Sequence, residues 1–274
     1  MYVVKILLIF LFILNFTFIF CQGVYSNGAR NISLANATAA LNDEWYFYNN
    51  PGVVPISKNI TLGASYENRF LVKEMQSQSL VGIIPMKNGV ISFGSQLYGY
   101  SQFRSFKSGV GYAMQLAEFV SAGIQLNYQG IRLNQNYGGY KTVTAEVGVL
   151  AKLNKKLSCG FSVWNIGNAI LDDYQNDRFT NTMRLGFNYK LSQMVTILAE
   201  LEKNSLYPLN LKMATEYKPS ENVFIRGGCS LQPVSFSFGF GYLFAQSFSL
   251  DFGTTYHQPL GWSPAVSCVY KILK

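Results

Sequence analysis

Residues 234–257 read VSFSFGFGYLFAQSFSLDFGTTYH, and their alternation limits what the chain can fold into more than any other stretch. Val234, Phe236, Phe238, Phe240, Tyr242 and Phe244 share one parity, with Ser235, Ser237, Gly239 and Gly241 on the other. After Ala245 and Gln246 the pattern resumes: Phe248, Leu250, Phe252 and Tyr256 oppose Ser249, Asp251, Gly253, Thr255 and His257. Successive side chains of a strand point to opposite faces, so this is a hairpin with one aromatic face and one small, polar face. A water-soluble sheet turns its large apolar face inward. Here the other face is mostly Ser and Gly, and each arm of about 11 residues matches a tilted strand that crosses a bilayer. The aromatic face is expected to meet lipid.

The same reading continues through the chain. It predicts strands at 59–70, 75–85, 89–104, 105–117, 119–132, 140–153, 156–167, 180–191, 194–203, 207–218, 222–232, 234–244, 247–257 and 262–272, with the 104/105 join the weakest boundary. That makes fourteen, and an even number suits a closed single-chain bacterial barrel. If the chain enters from the periplasm, its two longest connections, 133–139 and 168–179, fall outside the cell. The two-residue turns at 154–155, 192–193 and 245–246 then fall on the periplasmic side, the pattern of outer-membrane barrels. The expected fold is all-β, a transmembrane antiparallel barrel over 59–274. Tyr128, Tyr189, Tyr217, Tyr256, Trp262 and Tyr270 stand near strand ends on the lipid parity, where an aromatic girdle belongs.

Composition agrees. Charged residues make up 13% of the chain, against about 25% in soluble domains. The formal charge is +8, but the basic residues are scattered singly, so nucleic acid is not an expected partner and outer-membrane lipid is. One lysine ahead of a run of apolar residues marks 1–21 as a signal peptide, cut after Cys21. Without Lys5 the balance is 21 − 14, or +7. Cys159, Cys229 and Cys268 remain, an odd number on apolar-parity positions, which reads as small hydrophobic filler and not a disulfide frame or metal site.

Residues 22–58 do not alternate. A stretch rich in Ala, Leu and Asn over 31–41 suggests a short helix, followed by the aromatic cluster WYFY and the turn-forming NNPG. Such a segment is expected either to enter the lumen as a plug or to form a periplasmic arm.

Parity sorts the charges as well. Opposite the apolar face stand Glu67, Glu146, Glu200, Glu202, Glu216 and Asp251, with Lys152, Arg184, Lys190, Lys212, Lys218 and Arg226. In a narrow lumen these six acids and six bases must pair, because an unpaired buried charge is costly. Lys152, Lys190, Glu202 and Lys218 are alternatively rim residues. Enzymatic signatures are missing: His257 is the sole histidine, Asp251 lies six positions away on one strand, and nothing resembles a phosphate loop or a metal cluster. No cofactor is implied.

The N-terminal SNGARNISLANATAALNDEWYFYNNPGVV resembles the start of the FadL-type fatty-acid transporters and the PorV/PorQ outer-membrane proteins of Bacteroidota. The matching positions are Gly28, Ala29 and Arg30, the acidic pair Asp43 and Glu44, and the turn Asn50-Pro51-Gly52. Asn165-Ile166-Gly167 resembles a strand-ending element of PorV-like chains. The resemblance implies a 14-stranded barrel with an N-terminal plug in the bacterial outer membrane. This chain is shorter than those families and ends in Lys-Ile-Leu-Lys instead of a terminal aromatic. Three functions follow. A PorV/PorQ-like barrel binds a secretion-system partner; this is the first expectation, favoured by a filled lumen and short loops. A FadL-like barrel passes hydrophobic small molecules through a gap in its wall, for which Gly94 and Gly99 are the candidate positions. A secreted soluble β-protein is the third.

Overall fold

The computed structural model describes residues 27–54, 59–134, 138–172 and 177–273. The predicted leader lies outside them. From the N-terminal side the strands are β1 (Ile60–Asn68), β2 (Gln76–Met86), β3 (Gly89–Gly99), β4 (Phe103–Ala117) and β5 (Val120–Leu133). Next come β6 (Gly139–Lys152), β7 (Leu157–Trp164), β8 (Ile170–Asp172), β9 (Asp177–Arg178), β10 (Thr182–Lys190) and β11 (Val195–Asn204). The chain finishes with β12 (Asn210–Ser220), β13 (Val223–Leu231), β14 (Val234–Phe244), β15 (Phe248–His257) and β16 (Gly261–Ile272). All but β8 and β9 form one closed antiparallel barrel, in which β7 pairs with β10 and β1 closes on β16 from Ile60↔Ile272 to Glu67↔Ala265. The fourteen-stranded expectation holds.

The aromatic face of the β14–β15 hairpin meets no second layer. Phe236, Phe238, Phe240 and Phe252 are 45–52% exposed, and Leu80, Phe93, Leu97, Val110, Leu126 and Ile225 are exposed in the same way around the wall. A continuous apolar band of this kind is stable only against hydrocarbon. Two girdles bound it, with Tyr128, Tyr256 and Trp262 near the outer rim and Tyr189, Tyr217 and Tyr270 near the opposite, chain-end rim, where β1 begins and β16 ends. The barrel is of the outer-membrane type.

Three local expectations need correction. The 104/105 join is a turn at residues 100–102, because Gly99 takes a left-handed φ of 102° and Tyr100 N donates to Phe103 O at 2.7 Å. The turns foreseen as two residues are longer. Asn154 Oδ1 accepts from Lys156 N and Leu157 N, and Ser192 Oγ from Met194 N and Val195 N, so side chains replace the last ladder bonds. Connections at the chain-end rim span 87–88, 118–119, 153–156, 191–194, 221–222 and 245–247, while the long 69–75 and 165–181 lie outside. The outer connection 232–233 is as short as any at the other rim.

Residues 27–54 pass inside the barrel. The helix expected over 31–41 is only α1 (Ala29–Ser33), ended by Leu34 and the left-handed Ala35 and Asn36, with a single 3-10 turn at Tyr46–Tyr48 further on. Left-handed backbone at two consecutive residues cannot continue a right-handed helix. Nearly every residue of the segment is buried, and α1 packs against β13, β14, β15 and β16. The wall admits it through glycines on the lumen face. A Cβ at Gly123 would strike the Pro51 carbonyl, at Gly148 the Asn50 side chain, at Gly160 the Ala39 carbonyl, and at Gly253 the Ala29 carbonyl.

Candidate functional site

The lumen differs from end to end. Near the chain-end rim, Val81, Ile83, Val90, Leu150, Leu198 and Val269 point inward and pack on Leu34, Leu41, Trp45, Tyr46, Phe47 and Val53 of the inserted segment. Toward the outer rim the inward residues are polar: Gln96, Gln129, Thr144, Asn204, Asn210 and Ser230 are all buried.

Charge pairs tie the segment to the wall. Arg30 donates through Nε and Nη2 to both oxygens of Glu216 at 3.1 and 2.9 Å, and stands 3.9 Å from Glu44. Glu44 in turn meets Lys271 Nζ at 2.6 Å. Arg226 bridges Glu216 and Asp251, each at 2.6 Å. The result is an alternating row, Lys271–Glu44–Arg30–Glu216–Arg226–Asp251, that crosses from β16 through the segment to β12, β13 and β15. A second group joins Lys212 to Glu200 at 3.2 Å and to Glu202 at 2.8 Å, with Arg184 on Glu202 at 2.8 Å. Glu200 also accepts from Ala39 N at 2.8 Å. Each ion here has a partner, which is what makes burial of so many tolerable.

Of the charges sorted by parity, Glu67, Glu146, Arg184, Glu200, Lys212, Glu216, Arg226 and Asp251 are buried, and Glu67 pairs with Arg69 at 3.3 Å. Lys152 and Lys190 are exposed, and Lys218 is half-buried over the Phe224 ring. Glu202 is no rim residue, since Arg184 and Lys212 hold it inside. The motif positions cluster too. Gly28 lies flat against the Trp45 ring, and Asp43 Oδ1 accepts from Trp45 N at 3.1 Å. Asn50 Nδ2 donates to Ala39 O at 2.6 Å and to Val149 O at 3.1 Å, while its Oδ1 accepts from Gly52 N at 2.9 Å, and Ser121 Oγ donates to Gly52 O at 2.7 Å. Asn50-Pro51-Gly52 is thus the turn that pins the end of the segment to β5 and β6.

Gly94 and Gly99 mark no break in the wall. Pairing runs unbroken from Val90↔Ala113 to Gly99↔Arg104, and β2 pairs with β3 from Ser77↔Tyr98 to Met86↔Gly89. Gly99 serves the turn. Gly94 serves the segment: the Phe47 ring and the Tyr48 hydroxyl stand where its side chain would be. Tyr48 OH shares its one proton between the carbonyls of Leu80 and Ser95, at 2.6 and 2.9 Å. Gly94 lies opposite Gly109, and the next pair, Ser95 and Ser108, joins hydroxyls at 2.8 Å on the lipid parity beside Phe93, Leu97 and Val110. At this window the wall has no side chains on its lumen face and only small ones on its lipid face.

Parity reasoning named Glu146 but overlooked its partner, Lys107, further round. Lys107 Nζ meets Glu146 Oε1 at 2.6 Å and lies 5.7 Å from the Trp164 ring, and Asn127 Nδ2 donates to Glu146 Oε1 at 2.7 Å. Lys107 shares its parity with Gly109 and Gly111, a signal that was available. Beside it a small cavity of about 10 Å³ lies among Tyr48, Asn49, Glu146, Ser162, Trp164 and Arg184.

No protein-family model matches the chain, and no curated protein matches it in sequence. Solved structures do match in shape. The CymD monoaromatic hydrocarbon channel superposes with a TM-score of 0.71 at 11% identity, over 93% of this chain and 100% of its own. The toluene transporter TodX of P. putida gives 0.68 at 11% identity, over 92% and 100%. A Pseudomonas aeruginosa FadL homologue gives 0.66 at 10% identity, over 90% and 98%. The fold is that of the FadL-type outer-membrane channels. At such low identity the FadL-type likeness concerns the barrel alone, and the site is this chain's own.

Proposed function

We propose that this protein is a passive, non-enzymatic channel for hydrophobic small molecules in the bacterial outer membrane, with residues 27–54 as its plug. The observation that carries the reading is the seating of Phe47 and Tyr48 on the Gly94–Gly109 window. Those two rings are the obstacle between the lumen and a thin place in the wall, and beyond it lies hydrocarbon. Burial of each ring is worth about 2–3 kcal/mol, which an incoming apolar molecule offsets by taking over their contacts. The likeness to a hydrocarbon channel and a toluene transporter supports this reading over the partner-binding one. A barrel that only presents loops to a secretion component has no use for aromatic rings held against a glycine window.

Toluene uptake by a deletion strain tests the proposal. Uptake should slow without the protein, recover with the wild-type chain, and exceed wild type with Phe47→Ala. An uptake rate that is the same with and without the protein overturns it.

A further inference from the structure

A bare hydrocarbon has no need of hydrogen bonds, yet the outer lumen offers several that the protein itself does not use. Gln125, Gln129 and Thr144 are 1%, 4% and 2% exposed. Gln125 Oε1, Gln129 Nε2, Thr144 Oγ1 and Trp164 Nε1 are buried with no hydrogen-bond partner among the described residues. Buried polar atoms are paired as a rule, so four left over in one area call for an explanation. The register places them together. On the lumen face Gln125 neighbours Glu146, Asn127 lies opposite Thr144, and Gln129 lies opposite Lys107 on its other side. Trp164 ends β7 one step beyond the last β6–β7 neighbours, Val147 and Val163.

The charges in this area are already satisfied. Lys107 is taken by Glu146, and Arg184 by Glu202. An ionised ligand would have to break one of these pairs, whereas a neutral group with a donor and an acceptor leaves them intact. The cavity beside Trp164, about 10 Å³, suits a single group the size of a water molecule. Tyr48 lines the same cavity and also closes the Gly94 window through its hydroxyl, so one residue borders both places.

We propose that the β5–β6–β7 face of the outer lumen is a binding site for the uncharged, oxygen-bearing end (hydroxyl or carbonyl) of an otherwise apolar molecule. The end group enters the cavity bordered by Glu146, Ser162 and Trp164. The inference rests on the transport reading and narrows its substrate class from hydrocarbons to oxygenated ones.

Equilibrium binding of p-cresol and toluene to the purified full chain in detergent, with empty micelles as blank, tests it. The two probes share a body and differ by one hydroxyl. p-Cresol should bind about tenfold more tightly, the effect of one or two buried hydrogen bonds. Thr144→Val, which keeps shape and removes a hydroxyl, should weaken p-cresol about three- to tenfold and leave toluene unchanged. Trp164→Phe removes an N–H together with ring area and should weaken p-cresol more than toluene. Equal affinity for the two probes, or no binding of p-cresol, overturns the site, and the wild-type comparison decides even if a variant fails to fold. Vesicle permeation separates the two readings. Binding without permeation removes the transport role and keeps the site; toluene permeation without a p-cresol preference does the reverse.

Discussion

The two halves of the lumen are built on opposite principles. The half near the chain ends is closed by packing: Val81, Ile83, Val90, Leu150 and Leu198 press on the inserted segment as a soluble core would. The outer half is closed by side-chain hydrogen bonds, from Gln96 to Ser77 and from Asn204 to Thr182, each at 3.0 Å. Packing is lost steeply when shape changes, while a polar lining exchanges partners with water at little net cost. The first half therefore fixes the inserted segment by shape, and the second leaves a polar lining around it.

The steepest contrast should come from shape. Gly148→Val forces a side chain into the space of Asn50 and Gly52, so the end of the segment must leave the wall. With it go the contacts of Trp45, Tyr46 and Phe47, a loss of at least about 3 kcal/mol. Limited proteolysis should then cut within 27–54, a region whose burial should keep it uncut in the wild-type protein. Thr144→Val in the outer half should leave the proteolysis pattern unchanged. If Gly148→Val stays protected, the packed half is softer than its geometry implies.

Charge gives the next contrast. Glu216 accepts from two guanidiniums, those of Arg30 and Arg226, and Glu216→Gln leaves both buried cations short of a counter-ion. Loss of one member of such a group costs about 3–5 kcal/mol. Lys107→Met in the outer half strips Glu146 of its cation but leaves Asn127 Nδ2 as donor, so a cost of about 1–3 kcal/mol is expected. Urea midpoints of the detergent-folded barrels, measured together, should rank Glu216→Gln below Lys107→Met; the reverse order would move the latch to the outer half.

The asymmetry also explains what could be read from the residues. Alternation has a period of two, so it reveals the face of each wall residue, and with it the strand number, the lipid band and the buried sides of Glu216, Arg226 and Asp251. It says nothing about partners. That Glu216 pairs with Arg30, 186 positions away, depends on the path of a segment with no period at all. The same holds for Gly94, whose parity reading as a gap in the wall misses that a ring from residue 47 fills it. The short α1 was illegible for a related reason. Helix propensity over 31–41 is overridden where the lumen wall forces Ala35 and Asn36 into left-handed backbone.

The gentlest perturbation is a proton. Asp43, in the turn between α1 and the aromatic cluster, is buried with Oδ2 unpartnered, beside Arg30, Glu44 and Glu216, and Glu44 is itself held by Lys271. Burial pushes its carboxyl up to about 7, against the pull of Arg30 and with a further push from Glu44. A released segment returns Asp43 to its ordinary value of 3.8, so the docked state binds the proton more tightly. Asp43's contribution to docking is thus fully present below about pH 4, fades as pH rises through about 7, and is gone above that. Glu44, held low against burial by Lys271 and Arg30, and the cation-paired Glu216 contribute in the opposite sense, and lose their hold only as they are protonated below that window. Hydrogen exchange of the 27–54 amides, corrected for intrinsic rates, should lose protection by up to about tenfold per pH unit in that window. Asp43→Asn should flatten the profile and raise protection at pH above about 8, while amides of the outer-half strands keep one slope in both proteins. A wild-type profile already flat between those limits would mean that Arg30 keeps Asp43 ionised, and that the plug is held by packing and the Glu216 joint alone.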